Sequence, residues 1–274
     1  MAASAVGWGA SALVYTALYA LLPEAIAWRV LFAIGLFPAA FVFWIRRHID
    51  EPEIFRDAHI KRPRVGVGHL FAAFRGPHLW TTVKVSLMVA GAQGGGYALG
   101  IWMPTYLRTV RGLSATSTGG FLLVQILGAL CGFLLGSYLS DAIGRKQTFL
   151  WSAIGSFVMI LIYMFVPMGN TALLLVGVPL FAIFLIKFPP MGPFMTELYP
   201  TEVRGTAQGF CYNAGRAIGS LFPTMVGFVS QSLPLGATIA VFSAVASGIM
   251  IVMLMLLPET RGRSLAALEP APAD

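Results

Sequence analysis

Long runs of Leu, Ile, Val, Phe, Ala and Gly recur along the chain, separated by short polar segments. Each run has about the 20 apolar residues that an α-helix needs to cross the hydrocarbon core of a bilayer. Because lipid offers the backbone no hydrogen-bond partners, each run is expected to be helical. The pattern predicts eight spanning helices, at residues 3–22, 27–45, 83–106, 118–140, 147–167, 171–192, 207–231 and 237–257.

Composition supports a bilayer as the solvent of this chain. The 274 residues are 57% hydrophobic and 11% charged, whereas a soluble domain carries roughly 25% charged residues. So few polar side chains would not cover the surface of a soluble fold. The net charge of +7 does not indicate a nucleic-acid partner, because the bases lie in short segments that flank the apolar runs.

The distribution of Lys and Arg predicts which side of the membrane each loop faces. Arg29, Arg108 and Arg111 lie on one side, and twelve bases lie on the other. Since cytoplasmic loops are enriched in Lys and Arg, the twelve-base side is predicted to be cytoplasmic. Eight spans then place both termini in the cytoplasm. The basic segments on that side hold Arg46, Arg47, Arg56, Lys61, Arg62, Arg64, Arg75, Arg145, Lys146, Arg204, Arg261 and Arg263.

The segment 47–80 is the one sizeable polar stretch, and we expect a cytoplasmic loop there. Its apolar and basic residues from position 65 onward predict a short helix lying in the headgroup layer. The stretch holds all four histidines, at spacings near ten residues that fit no metal-ligand pattern. The two cysteines lie singly inside apolar runs, so neither a metal site nor a cofactor is expected.

Three groups of acids and bases interrupt the apolar pattern at predicted cytoplasmic helix ends. Basic residues alone would suffice to anchor the topology, but an acid does not contribute to that rule. We therefore interpret the groups as ion clusters that hold helices together in one state of a moving protein, a cytoplasmic gate. The predicted gate residues are Asp141, Gly144, Arg145, Lys146, Glu197, Arg204, Glu259 and Arg261.

The same groups resemble motifs of the major facilitator superfamily, in its sugar-porter-like and organic acid:proton symporter branches. The segment SYLSDAIGRK at 137–146 is similar to that family's loop between helices 8 and 9, although Ser137 and Ala142 depart from it. ELYPTEVRG at 197–205 resembles the loop between helices 10 and 11, and PETRGRSL at 258–265 resembles the end of helix 12. The resemblance implies an all-α membrane bundle of that superfamily.

This resemblance covers helices 5 to 12 of a twelve-helix architecture, so the bundle is expected to be truncated to about eight helices. The implied divisions are a remnant of the N-terminal half at 1–46, the central loop with its interfacial helix at 47–80, a six-helix C-terminal half at 81–259 and a cytoplasmic tail at 260–274. A chain without the first four helices is expected to be a fragment or truncated product that does not transport alone.

Polar residues inside the spans are candidates for a substrate cavity. In the resembling family helix 7 bends and lines the cavity, and the run QGGGYALG at 93–100 corresponds to it. Residues three or four apart share a helix face, which pairs Gln93 with Tyr97 and Asn213 with Arg216. Gln125 could complete the patch, and a hydrogen bond between helices is the structural alternative for each residue. For Lys84 and Lys187 a structural role is favoured.

We therefore predict a secondary transporter that moves a small organic acid by alternating access, with Arg216 as the cation that favours an acid. A neutral sugar or other metabolite, or a remnant that transports nothing, are the alternatives. The resemblance implies proton coupling, although every Asp and Glu lies in a loop, at a helix end or in the tail. The spans contain no His, Asp or Glu that would support an enzyme. The expected partners are the lipid bilayer and a small substrate, in a bacterial inner membrane.

Overall fold

The computed structural model describes residues 2–48, 74, 76, 78–113 and 115–262. These residues belong to two compact units, one formed by residues 3–68 and one by residues 69–274 together with the first two residues. Every regular element among the described residues is a helix. The predicted all-α class is therefore confirmed. Most of the interfacial helix expected between 65 and 80 lies outside the described residues, as do His59, His69 and the tail beyond Gly262. The described residues from His78 onward belong instead to the first long helix of the larger unit.

The unit at 3–68 contains three helices in its described part: α1 (Ala2–Leu21), α2 (Glu24–Ile34) and α3 (Phe37–His48). The single span expected at 27–45 is thus wrong, because the helix stops after Ile34. Pro38 lies four residues beyond Ile34, and a proline has no N–H to donate to the carbonyl four positions earlier, which explains the break.

The larger unit contains the remaining helices of the described chain. They are α4 (His78–Thr109), α5 (Ala115–Ala142), α6 (Arg145–Phe165), α7 (Asn170–Leu185), α8 (Met191–Thr196), α9 (Thr201–Gly219), α10 (Leu221–Val229) and α11 (Leu235–Met255). The spans predicted at 83–106, 118–140, 147–167 and 237–257 are each confirmed as one helix. By length and apolar composition alone, α6 and α11 qualify as membrane spans among the described helices, and α7 is apolar but shorter.

Two further spans predicted as continuous are broken in the structure. The run at 171–192 separates into α7 and α8, and helical hydrogen bonding stops ahead of Pro189 and Pro190, as their chemistry requires. The run at 207–231 separates into α9 and α10 at Ser220, four residues after Arg216 and three before Pro223. In both places a proline, Pro189 or Pro223, lies four residues beyond the last residue of the preceding helix.

Helix neighbours in the larger unit follow a simple order. The most extensive contacts join α4 to α11 and to α9, and join α5 to α7; α6 lies against both α7 and α11. Aromatic residues fill the interior, and two apolar clusters form along it: one includes Tyr106, Tyr163 and Phe181, and the other includes Phe149 and Phe194.

Glycines allow α5 and α7 to approach until their backbones touch. A β-carbon on Gly128 would lie 2.7 Å from Phe181 Cβ and 2.8 Å from the Val178 carbonyl oxygen. Gly132 and Gly136 meet the carbonyl oxygens of Ala182 and Ile186 in the same way. The three glycines are spaced by four residues and so lie on one face of α5. We call this contact the glycine seam.

Candidate functional site

An open cavity of about 450 Å³ lies between α4 and the α9–α10 pair. Helix α4 contributes Tyr97 and Ile101. The other wall is formed by Asn213, Arg216, Ala217, Ser220 and Pro223. Three of the predicted cavity residues, Tyr97, Asn213 and Arg216, are therefore brought together by the structure.

The break between α9 and α10 forms one wall of this cavity. Pro223 cannot donate an N–H to the Gly219 carbonyl, and α9 ends there. Arg216 consequently lies in the last turn of α9, where the partial negative charge of a helix C-terminus favours a cation. The break thus offsets part of the cost of placing a charge about 18 Å along the helix from Arg204.

The guanidinium of Arg216 is available to a ligand. Its side chain is exposed, and no carboxylate of the described chain lies within ion-pair distance of it. The planar guanidinium suits a carboxylate, which it can bind through two parallel hydrogen bonds. An exposed, unpaired cation in a polar-edged cavity is therefore suited to an organic anion.

Two other predicted cavity residues lie elsewhere. Gln93 is 6% exposed and its Cβ lies beneath the end of α9, 3.1 Å from where a β-carbon on Gly219 would be. Gln125 is half-buried in α5, a helix without extensive contacts to α9. Neither residue is among those that line this cavity or the groove between α8 and α9. A role in binding stays a prediction for both.

A second, smaller groove of about 330 Å³ adjoins the cavity. It lies between α8 and α9 and shares Asn213 with the larger cavity. Asn213 donates a hydrogen bond from Nδ2 to the Gly209 carbonyl oxygen, 2.8 Å away. The groove is lined by Met191, Gly192, Met195, Gly205, Gln208, Gly209, Tyr212 and Asn213. Asn213 therefore lies at the border of both cavities on α9.

Arg145 is the centre of the predicted gate cluster. Its Nη1 donates to the Asp141 carboxylate at 2.7 Å and to the Ser140 carbonyl oxygen at 2.8 Å. Its Nη2 lies 3.3 Å from Glu197 Oε1, and the second oxygen of Glu197 accepts a hydrogen bond from the Thr260 hydroxyl. Segments from three parts of the sequence therefore meet at one ion cluster.

Glu259 completes this cluster from the C-terminal side. Its carboxylate accepts the backbone N–H of Lys146 at 3.2 Å, in the first turn of α6, and so caps that helix from a distant part of the chain. The Lys146 ammonium donates to the Leu257 carbonyl oxygen at 2.9 Å. Gly144 has φ +105°, and a β-carbon there would also lie 3.2 Å from Glu259 Oε2, so the turn requires glycine.

Two predicted gate residues contribute less to the cluster. Arg204 donates from Nε to the Tyr199 carbonyl oxygen at 3.2 Å, and Arg261 is exposed with its Cδ near Gly144. Tyr199 itself is buried, and burial raises the pKa of its phenol. The protonated hydroxyl donates to Thr82 Oγ1 at 3.2 Å, which ties the segment before α9 to α4.

Arg111 forms a cap at the opposite end of the larger unit that the sequence pattern did not reveal. Its Nη2 donates to the carbonyl oxygens of Tyr163, Met164 and Val166 at 3.0–3.5 Å, at the C-terminus of α6. Its Nε donates to the Tyr106 hydroxyl at 3.0 Å. The last carbonyls of a helix have no partners within the helix, and a cation there is favoured. Arg111 is thus a structural residue.

Lys187 is buried in the irregular segment between α7 and α8. It is 2% exposed, and its Nζ lies 3.5 Å from the centre of the Phe184 ring, which is a cation–π contact. Within the described ranges no cluster of His, Cys, Asp and Glu could hold a metal ion.

A helical bundle of such apolar composition is typical of a multi-pass membrane protein. The model of the Major Facilitator Superfamily matches residues 1–224. The chain belongs to this superfamily of integral, multi-pass membrane proteins, whose named relatives are transporters and not enzymes.

Named relatives support this assignment. A protein of Cupriavidus pinatubonensis, "Probable 4-methylmuconolactone transporter", is 36% identical over 94% of the chain and 60% of its own length. A sialic acid transporter of Escherichia coli is 26% identical over 84% of the chain and 56% of its length. A cis,cis-muconate transport protein of Acinetobacter baylyi is 25% identical over 87% and 59%. The chain therefore spans about three-fifths of the length of these relatives.

Proposed function

We propose that this chain serves the transport of a small organic acid across the membrane by alternating access. The observation that carries the proposal is Arg216: an exposed cation without an ion-pair partner among the described residues, in the wall of the 450 Å³ cavity. A charged guanidinium at membrane depth is costly, and a substrate carboxylate would neutralise it.

Neighbouring groups in the cavity favour an acid with a further apolar or polar part. Tyr97 and Ser220 offer hydroxyl groups, and Ile101 and Pro223 offer apolar surface. A cavity of about 450 Å³ has the size of sites for small molecules. A neutral sugar is the alternative substrate, since hydroxyls and amides would bind it without needing the cation.

Names of the relatives support an acid as well. Those relatives are named for 4-methylmuconolactone, sialic acid and cis,cis-muconate. Cis,cis-muconate is a dicarboxylate, and we use it as the first test substrate for this chain.

The proposal extends to orientation and coupling. The charge bias supports an orientation with both termini cytoplasmic, which would place the Arg145–Glu197 cluster on the cytoplasmic side as a gate. The relatives named above are bacterial proteins, which favours a bacterial inner membrane. Its contacts lie within the larger unit, so this cluster would stabilise one arrangement of that half. Proton coupling stays part of the proposal, to be tested by uptake driven with an imposed pH gradient.

Uptake by liposomes that contain the purified chain tests the substrate proposal. The measurement compares labelled cis,cis-muconate with labelled glucose, in the wild type and in Arg216→Gln and Arg216→Lys variants. Loss of one charge-assisted contact is worth about 1.5–3 kcal/mol, so Arg216→Gln should weaken muconate binding about 10- to 100-fold. Arg216→Lys should retain part of it. Arg108→Gln, an exposed arginine at the end of α4, is the matched control.

Each outcome decides between the candidates. Muconate uptake that falls in Arg216→Gln and survives in Arg108→Gln supports the acid transporter. Glucose uptake that is indifferent to Arg216 supports the sugar alternative. Absence of uptake for both substrates, in a chain that is folded by circular dichroism, supports a remnant that does not transport alone.

A further inference from the structure

Trp102 joins the two walls of the larger cavity without lining it. The indole Nε1–H of Trp102, on α4, donates to the carbonyl oxygen of Pro223, on α10, at 2.8 Å. The six-membered ring covers Gly227, where a β-carbon would lie 2.8 Å from Trp102 Cζ2. Since Pro223 is a cavity residue, Trp102 contacts that wall from behind.

The wall needs such support because it begins at a break. Between α9 and α10 the N–H that would bond to the Gly219 carbonyl is missing, since position 223 is proline. The backbone hydrogen bonds of the helix therefore do not fix the direction of α10 after Ser220. Contacts with α4 fix it instead: Gly94 lies under the Phe222 ring, 2.8 Å from where its β-carbon would be.

These packing contacts lie at the start of α10, whereas the ring of Trp102 contacts Gly227 further along the same helix. Gly227 is one helical turn beyond Pro223, so the indole spans the turn of α10 between these two residues. Its hydrogen bond is directional, which a contact between apolar surfaces is not. The preceding residue, Ile101, lines the cavity, so one turn of α4 contributes both a wall residue and this clamp.

We propose that Trp102 is a positioning residue of the substrate site, which sets the direction of α10 and thereby the place of Ser220 and Pro223 opposite Tyr97. This role rests on the proposed function, because the site it shapes is the proposed acid site. Trp102 does not touch the substrate; it acts through Pro223.

Two variants disturb the clamp from opposite sides. Trp102→Phe keeps an aromatic ring and removes the N–H donor. Gly227→Ala leaves the donor in place and fills the space that the indole ring occupies. Two matched controls are Trp151→Phe, at an indole that is 63% exposed on α6, and Gly248→Ala, at a helical glycine with open space around it.

Two independent readouts separate the clamp from the proposed substrate. The first is backbone amide exchange of residues 221–229 in the detergent-solubilised chain without substrate, which reports the clamp alone. The second is the Kd of cis,cis-muconate. Loss of one neutral hydrogen bond should raise this Kd about 3- to 10-fold. Because both variants disturb the contact of one side chain, Trp102, with α10, the double variant should raise the Kd little beyond the larger single effect.

We expect faster exchange in 221–229 for Trp102→Phe and Gly227→Ala, with both controls like the wild type. Unchanged exchange in Trp102→Phe would overturn the clamp, whatever the substrate. Faster exchange with an unchanged Kd would show that the clamp does not shape the site, which also overturns the proposal. If the wild type binds no muconate, the proposed substrate falls, and the exchange data still decide whether Trp102 holds α10.

Discussion

Substitution of Gly128 by alanine tests whether the glycine seam holds α5 and α7 together. The added β-carbon would lie 2.7 Å from Phe181 Cβ and 2.8 Å from the Val178 carbonyl oxygen. Ordinary contacts between such atoms begin near 3.4 Å, so the two helices must separate by several tenths of an ångström. Neither neighbour is the far end of a flexible side chain, because one is a β-carbon and the other is backbone.

The expected magnitude follows from two opposed effects. Forcing an extra methyl group into a close-packed contact costs about 1–3 kcal/mol. Alanine also gains up to about 1 kcal/mol over glycine inside a helix. Because neither neighbour of the added methyl group can move aside easily, the cost should lie near the upper end of its range, about 2–3 kcal/mol. The net effect of Gly128→Ala should then be a loss of about 1–2 kcal/mol in the free energy of unfolding.

Gly248→Ala is the matched control for this substitution. Gly248 lies within α11, and nothing lies within 4 Å of where its β-carbon would be. Only the gain in helix propensity should remain there, so the free energy of unfolding should stay the same or rise by up to about 1 kcal/mol. The two glycine-to-alanine changes should therefore have opposite signs.

Both variants would be compared with the wild type by unfolding in mixed micelles, with helix content followed by circular dichroism. A lower midpoint for Gly128→Ala and an equal or higher midpoint for Gly248→Ala is the expected result. If Gly128→Ala were as stable as the wild type, the close backbone contact of α5 and α7 would not exist as described.

Two further predictions concern polar contacts at the helix ends. Arg111→Lys should lower the free energy of unfolding by about 1–3 kcal/mol, because one ammonium cannot replace the fork that caps α6; a midpoint equal to the wild type would contradict this cap. Glu197→Gln should cost about 2 kcal/mol, since Glu197 and Arg145 are only 14% and 17% exposed. Asp141→Asn should cost at most about 1 kcal/mol, because Asp141 is 80% exposed; equal costs for both would refute this ranking.

Sequence pattern predicted most of the helices and failed where proline was involved. The runs at 27–45 and 207–231 are predominantly apolar, so hydropathy indicates one span each. The structure breaks them ahead of Pro38 and Pro223. Proline alone would not have located the breaks, since Pro104 and Pro179 lie inside α4 and α7 without ending them.

The candidate site was predictable in part, for reasons of helix geometry. Asn213 and Arg216 are three apart on α9, and both reach the cavity wall. Gln93 and Tyr97 are four apart on α4, yet successive positions at this spacing differ by about 40° around the axis. Tyr97 faces the cavity, whereas Gln93 lies in the contact between α4 and α9 and is buried. Whether Gln93 or Tyr97 faces the cavity depends on which helix packs beside α4, and a single sequence does not specify that packing.

The sequence motifs predicted which residues form the ion cluster around Arg145, but not which groups those residues contact. The acids and bases at 141–146, 197 and 259 were expected to act together, and Arg145, Glu197 and Glu259 do converge. The capping of α6 by Glu259 spans more than a hundred residues of sequence, so local spacing carries no signal for it. The same holds for Arg111, whose partners lie about 50 residues away.

The glycine seam also has a consequence for the assembly of the bundle. Where backbone meets backbone, few side chains lose rotamers when two helices associate, and that entropy cost is largely avoided. Helices α5 and α7 can therefore associate as soon as both are inserted in the membrane, before α6 has packed against them. The rest of the larger unit would then assemble on a rigid pair that exists from the start.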